Sequence, residues 1–224
     1  MNESSLLPPT VHIDVVSDVV CPWCYIGKHR LETAIGLAGN VAVDINWRPY
    51  FLNPWIPREG IDRATYLKTK FGSVERYEVI AERVAAAAAL EGLVYAADKI
   101  GRQPNTLGCH RLILWSRSAT DPGRMKQRLM EIYFAEGGDL TDTKTLIQAA
   151  VDCGMDRGLV RRLLESDDDI GRIEADASSA REAGIDAVPC FVFGGGLVVT
   201  GAQAPEYLAS AIERTAGRHS RIEA

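Results

Sequence analysis

The stretch VHIDVVSDVVCPWCYIGKHRLETAIGL, residues 11–37, decides how the chain is read. Val11, Ile13 and Val15 alternate with His12 and Asp14, and Val16, Val19 and Val20 add apolar weight, the pattern of a mostly buried strand. After Cys24, residues Tyr25, Ile26, Leu31, Ile35 and Leu37 share one broad helical face, with Lys28, Arg30 and Glu32 expected in water and Gly39-Asn40 as the stop. Between strand and helix stands the tetrad Cys21-Pro22-Trp23-Cys24. A cysteine pair of this spacing at a strand-to-helix junction is how a thiol–disulfide redox site is built, because the positive end of the helix dipole favours a thiolate there.

Two rival readings are a metal site and an inert pair of buried thiols. A structural zinc takes four ligands from Cys and His. Cys109, Cys153 and Cys190 stand singly, and His12, His29, His110 and His219 have no spacing for a metal or a catalytic triad, so no metal is expected. A CxxC pair beside a βαβ pattern reads as redox.

Outward from the tetrad, the chain divides into three blocks. Residues 41–47 alternate again and close a strand–helix–strand unit, expected to be parallel and right-handed. A loop punctuated by Pro49, Pro54 and Pro57 follows. From residue 62 to 184 the pattern is helix after helix, with Asp62, Ser73 and Asp142 or Thr141 as N-caps, Gly72, Gly92 and Gly184 as stops, and no strand signal. Strand character returns at residues 188–193 and 197–200 around the turn Gly194-Gly195-Gly196, and Ala204-Pro205 opens a last helix. The order is β-α-β, a helical insert, then β-β-α: an α/β chain. Without the insert, a thioredoxin-like fold remains. The expected division is a discontinuous domain of residues 11–61 and 185–217, a helical insertion of 62–184, and flexible tails of 1–10 and 218–224.

Totals exclude several function classes. The 224 residues are 46% hydrophobic and 25% charged, enough for a substantial core. A net charge of −5 with no basic patch argues against nucleic acid and anionic membranes. No run approaches the roughly 20 apolar residues of a membrane span. The first residues, MNESSLLPPT, lack the features of a secretory signal, so a cytoplasmic location is expected. An odd count of five cysteines argues for individual thiols over a disulfide framework.

Within the tetrad the cysteines are unequal. Cys21, at the helix edge, is expected to be the exposed attacking thiolate, and Cys24, one turn inside, the shielded resolving thiol. Pro22 suits the first helical turn, where its missing N–H costs little. Trp23 is a candidate substrate contact. Asp14 breaks an otherwise apolar strand and is either the acid beneath the helix that takes the Cys24 proton or a solvated residue on an edge strand, while Asp18 is read as a cap or loop residue. Cys190, among Phe191, Val192 and Phe193, is expected to turn inward as packing rather than serve as a third redox thiol.

Ser17-Asp18-x-x-Cys21-Pro22-Trp23-Cys24-Tyr25-Ile26-Gly27-Lys28 resembles the DsbA family of thioredoxin-fold oxidoreductases, in particular its FrnE-like branch. The likeness continues at Phe51-Leu52-Asn53-Pro54, Asn105-Thr106, His110-Arg111-Leu112, Ala187-Val188-Pro189 and Gly201-Ala202-Gln203. It implies a cis bond before Pro189, with the Val188 backbone free to pair with an extended substrate. The expected activity is thiol–disulfide exchange, as a protein disulfide reductase or isomerase, through a mixed disulfide at Cys21. No bound cofactor is expected. The partners are disulfide-bearing proteins or small-molecule thiols, with a low-molecular-weight thiol as redox partner, and no oligomeric state is assigned. The alternatives are a glutathione-dependent isomerase or kappa-type transferase acting on a small aromatic compound, and a non-enzymatic redox sensor.

Overall fold

The computed structural model describes residues 10–194 and 196–222, with side chains to residue 217. Residues 1–9 and Gly195, within the expected N-terminal tail and the glycine turn, lie outside the described residues. Strand β1 (Thr10–Ser17) runs into helix α1 (Pro22–Leu37), and the chain returns through β2 (Ala42–Pro49). Much later come β5 (Cys190–Phe193), β6 (Leu197–Thr200) and the final helix α9 (Pro205–Ile222). These strands form a sheet in the order β2-β1-β5-β6, with β1 and β2 parallel and the other pairs antiparallel. This is the α/β architecture expected of a thioredoxin-like fold with a helical insertion.

Alternation along β1 separates the two faces of the sheet. Val11, Ile13 and Val15 join Leu31 and Ala34 of α1 and Leu208 and Ile212 of α9 in one core. Val16 points the other way and packs with Tyr50, Cys190 and Ala180. Ala180 belongs to α8 (Ile170–Glu182), which lies against the far face. Each fully buried aliphatic side chain in these layers contributes about 1.5–3 kcal/mol, so the register is firmly held.

Between β2 and β5 the chain makes helices α2 (Arg63–Phe71), α3 (Val74–Leu90), α4 (Leu107–Ser116), α5 (Pro122–Glu131), α6 (Thr143–Asp152), α7 (Arg157–Glu165) and α8. The caps act as expected: Asp62 accepts from the Thr65 N–H, Ser73 from Arg76, and Asp142 from Lys144. Ile26 of α1 is sealed by Val84 and Ala88 of α3. A π-helical turn, Ile132–Glu136, extends α5 and brings Phe134 onto Tyr25 at 5.4 Å between ring centroids.

Three expectations need correction. The helical block contains a short ladder, β3 (Ile61–Asp62) with β4 (Arg102–Gln103), too brief to leave an alternating pattern. Lys28 and Arg30 are not in water: Lys28 is buried, bonded to Glu32 and set over Trp47, and Arg30 is clamped by Glu91 and the Ala202 carbonyl. Their aliphatic stems cover core while the charged heads find partners. Helix α9 continues to Ile222 and does not fray at Gly217.

Gly27 marks where α1 meets the start of β5. A Cβ added there would lie 2.8 Å from Pro189 Cγ and 3.4 Å from the Phe191 ring. Gly27→Ala is therefore expected to destabilise the fold by about 1–3 kcal/mol through overpacking. Gly36, on the same helix with nothing within 4 Å of an added Cβ, should accept alanine with a gain of roughly 0.5–1 kcal/mol. Urea unfolding of both variants checks the pair; equal effects would mean that the α1–Pro189 contact is loose.

Candidate active site

Cys21 is the N-cap of α1, in extended conformation (φ −91°, ψ 115°), and Pro22 opens the helix where no N–H is needed. The turn is closed by hydrogen bonds from the Cys24 and Tyr25 N–H groups to the Cys21 carbonyl, at 3.0 and 3.2 Å. This places the two sulfurs together at the helix start. A hydrogen bond from the Cys24 thiol, with further help from the Cys24 and Trp23 backbone N–H groups, holds Cys21 below the ordinary thiol range against burial and the Asp18 charge. Burial drives Cys24 well above that range, and the charge shared with Cys21 adds to the effect. The two thiols are thus made unequal chiefly by the hydrogen bond between them and by the desolvation of Cys24.

The expected exposure of Cys21 needs correction: the exposed member of the tetrad is Trp23, 39% accessible, whereas Cys21 is, like Cys24, buried, at 4% accessible. Its sulfur is covered because the start of β5 crosses above it: the Val188–Pro189 bond is cis, and Cys21 Sγ donates to the Val188 carbonyl at 3.7 Å. Access runs through a cleft of about 340 Å³ whose walls include Cys21, Pro22, Trp23 and Val188 on one side and Arg63, Tyr66 and Lys70 of α2 on the other. Tyr77, Tyr95 and Phe134 close it. A cavity of similar size between β2, α4 and α8 touches no thiol.

Asp14 does not take the place expected of it. It lies on the face of the sheet opposite α1, where Asn46 donates to it at 2.6 Å and Arg48 pairs with it at 3.7 Å. The buried acid at the site is Asp18, in the loop after β1. It accepts from the Leu52 N–H at 2.8 Å, and its other oxygen sits 3.3 Å from His110 Nε2. Burial pushes the Asp18 carboxyl up, but His110, Leu52 and Thr106 together outweigh it and leave the pKa lowered. His110 comes from α4, inside the helical block, so no local spacing could reveal the pair.

A residue absent from the sequence reading is Lys126 of α5. It is 1% accessible, with its ammonium 5.4 Å from the Trp47 ring centre. Burial pushes it down to about 8, opposed by the charges of Cys24 and Asp18. In turn, Lys126 is the charge that favours a Cys24 thiolate.

The remaining thiols are buried. Cys190 is buried with Val16, Tyr50 and Ala180 on the far face of the sheet, and burial raises its pKa. Cys109 and Cys153 are likewise raised by burial. Among the described residues no group of three His, Cys, Asp or Glu side chains is arranged to hold a metal, and no helix is long and apolar enough to cross a membrane.

The model of the DSBA-like thioredoxin domain matches residues 12–213. The chain belongs to that family. A probable DsbA oxidoreductase from Streptomyces coelicolor is 28% identical, covering 92% of this chain and 90% of that one, with a TM-score of 0.83. Two more distant structures share the fold. A 2-hydroxychromene-2-carboxylate isomerase is 16% identical at TM-score 0.68, covering 94% of this chain and 98% of that one. DsbM, a cytosolic disulfide reductase from Pseudomonas aeruginosa solved with GSH, is 15% identical at 0.62, covering 96% and 100%. The chain is a DsbA-like oxidoreductase of the thioredoxin fold.

Lys126→Met removes a cation that favours the Cys24 thiolate. Thiolate absorbance titration of the Cys21→Ala background should then show Cys24 ionising at higher pH than in the same background with Lys126 retained. The sign follows from the charge: losing a nearby positive group disfavours the anion. An unchanged or lowered inflection would separate Lys126 from the thiol.

Proposed function

We propose that this protein reduces disulfides by cycling Cys21 and Cys24 between dithiol and disulfide. The observation that carries this reading is the Cys21 sulfur itself: at a helix N-terminus, lowered in pKa by Cys24, facing the Val188 carbonyl and opening onto a cleft. The Cys21 thiolate attacks a substrate sulfur, a mixed disulfide forms, and the first substrate thiolate leaves. Cys24 then gives up its proton and attacks the Cys21 sulfur, releasing the second thiolate. Neutral Lys126 is suited to take that proton near pH 8, because its own pKa has been brought there. Pro22 sets the turn, Trp23 and the Val188 backbone present the contact surface, and Pro189 seats them against Gly27. A low-molecular-weight thiol or a protein dithiol restores the reduced pair.

The aromatic cleft lends some support to a second reading, a thiol-dependent isomerase or transferase for small aromatic compounds. Cys24 weighs against it, since an enzyme that only binds a thiol cofactor has no use for a resolving thiol beneath its nucleophile.

Reduction of insulin and of a small disulfide by the protein, with an excess of reductant thiol, tests the proposal. Cys21→Ser is expected to abolish turnover. Cys24→Ser is expected to keep the first attack and accumulate a covalent adduct on Cys21, seen by intact-protein mass spectrometry. Full activity in Cys24→Ser would favour the isomerase reading, and no turnover by the native pair would leave a sensor.

A further inference from the structure

The wall of the cleft facing Cys21 carries two positive side chains, Arg63 and Lys70. Arg63, at the start of α2, gives Nη1 to Gln103 Oε1 at 2.6 Å and to the Tyr133 hydroxyl at 3.2 Å, and Nη2 to the Tyr77 hydroxyl at 2.8 Å. These partners are all neutral. Arg63 Nε is buried and has no partner among the described residues. Lys70, two turns along α2, donates to Asn53 Oδ1 at 2.6 Å, again a neutral acceptor. Because Lys70 and Arg63 engage the oxygens of Asn53 and Gln103, the amide nitrogens are left as buried donors without a partner among the described residues. The cleft lining thus holds two cations, Arg63 and Lys70, whose side-chain partners among the described residues are neutral.

A cation held only by neutral partners keeps an unneutralised charge, which an anion entering the cleft would compensate. The one acid lining the cleft, Asp186, sits beside Val188 on the thiol side and pairs with neither cation. The rest of the lining is apolar or aromatic, with Tyr66 flanked by Arg63 and Lys70 at 5.1 and 5.7 Å from its ring centre. Its volume of about 340 Å³ is at the small end of the about 300–1,000 Å³ occupied by ligand sites.

We infer that this wall is an anion subsite, and that the disulfide reduced at Cys21 belongs to a small molecule with an apolar or aromatic body and a carboxylate. Arg63 and Lys70 hold the carboxylate, the aromatic rings hold the body, and the disulfide reaches Cys21 beneath Val188. This rests on the exchange chemistry proposed above and names its substrate class. The exchange balances: the Cys21/Cys24 dithiol loses two electrons and two protons to become a disulfide, and the substrate R–S–S–R gains them as two R–SH.

A matched pair of probes tests it: dithiodibenzoate and its neutral dicarboxamide. Single-turnover oxidation of the reduced protein, followed by Trp23 fluorescence, gives a rate constant for each. The carboxylate is expected to be preferred, with a preference that falls as salt rises. In Lys70→Gln the carboxylate-to-carboxamide ratio should drop about tenfold, as for loss of one charge-assisted hydrogen bond, and Lys70→Arg should restore most of it. Equal rates for both probes in the native protein, or an unchanged ratio in Lys70→Gln, would overturn the subsite while leaving the reductase reading intact. Calorimetric binding of dithiodibenzoate to the unreactive Cys21→Ser/Cys24→Ser protein, with and without Lys70→Gln, keeps the two ideas separate. Lys70-dependent binding without turnover in the native pair would retain the subsite and remove the reductase. No binding, or binding that ignores Lys70, would remove the subsite.

Discussion

Everything in this molecule depends on holding one sulfur at the point where β1 gives way to α1, under the first residues of β5. Cys21 is the N-cap residue of α1, and its sulfur is both a hydrogen-bond partner of Cys24 and a neighbour of the Val188 carbonyl. Each relation comes from a different part of the chain. The helix start supplies the N–H groups, the β1–β5 pairing places Val188, and the absence of a Cβ on Gly27 lets Pro189 settle onto the helix. A sulfur so placed is lowered in pKa without being exposed, so reactivity is set by what can enter the cleft.

The helical block between β2 and β5 supplies the environment of that sulfur. It adds His110 behind Asp18, Lys126 behind Cys24, and the Arg63–Tyr66–Lys70 face of α2 across from it. Asp18 and Lys126 are buried ionisable groups, which are costly unless compensated. Here they compensate one another and the thiols: the Asp18 carboxylate is fixed by His110 and the Leu52 N–H, and it in turn raises Lys126 toward the charged state. The result is a site whose proton inventory can change at Cys24 without exposing a charge to bare apolar core.

What could be read in advance was local. The strand–CPWC–helix junction, the caps at Asp62, Ser73 and Asp142, the glycine stops and the closing hairpin are signals within a few residues, and the structure forms them as expected. Errors arose where partners are distant. Asp14 looked like the buried acid because it interrupts an apolar strand, but alternation turns it to the far face, and Asp18, beyond the strand, turns inward to a histidine over ninety residues away. Lys28 reads as a solvent-facing charge and Lys126 gives no signal at all, since helical period alone cannot say that Trp47 lies opposite both. The β3–β4 ladder has two residues per strand, shorter than any alternation can announce.

The central claim is that Cys21 and Cys24, and no other thiols, form one two-electron couple. Equilibration of the protein across a series of thiol–disulfide buffers, with peptide mapping of each sample, tests it directly. The account predicts a single transition with a slope of about 30 mV per decade and one disulfide, Cys21–Cys24, with Cys109, Cys153 and Cys190 recovered as thiols throughout. A disulfide that includes Cys190, or only adducts of the buffer thiol with no internal bond, would contradict it.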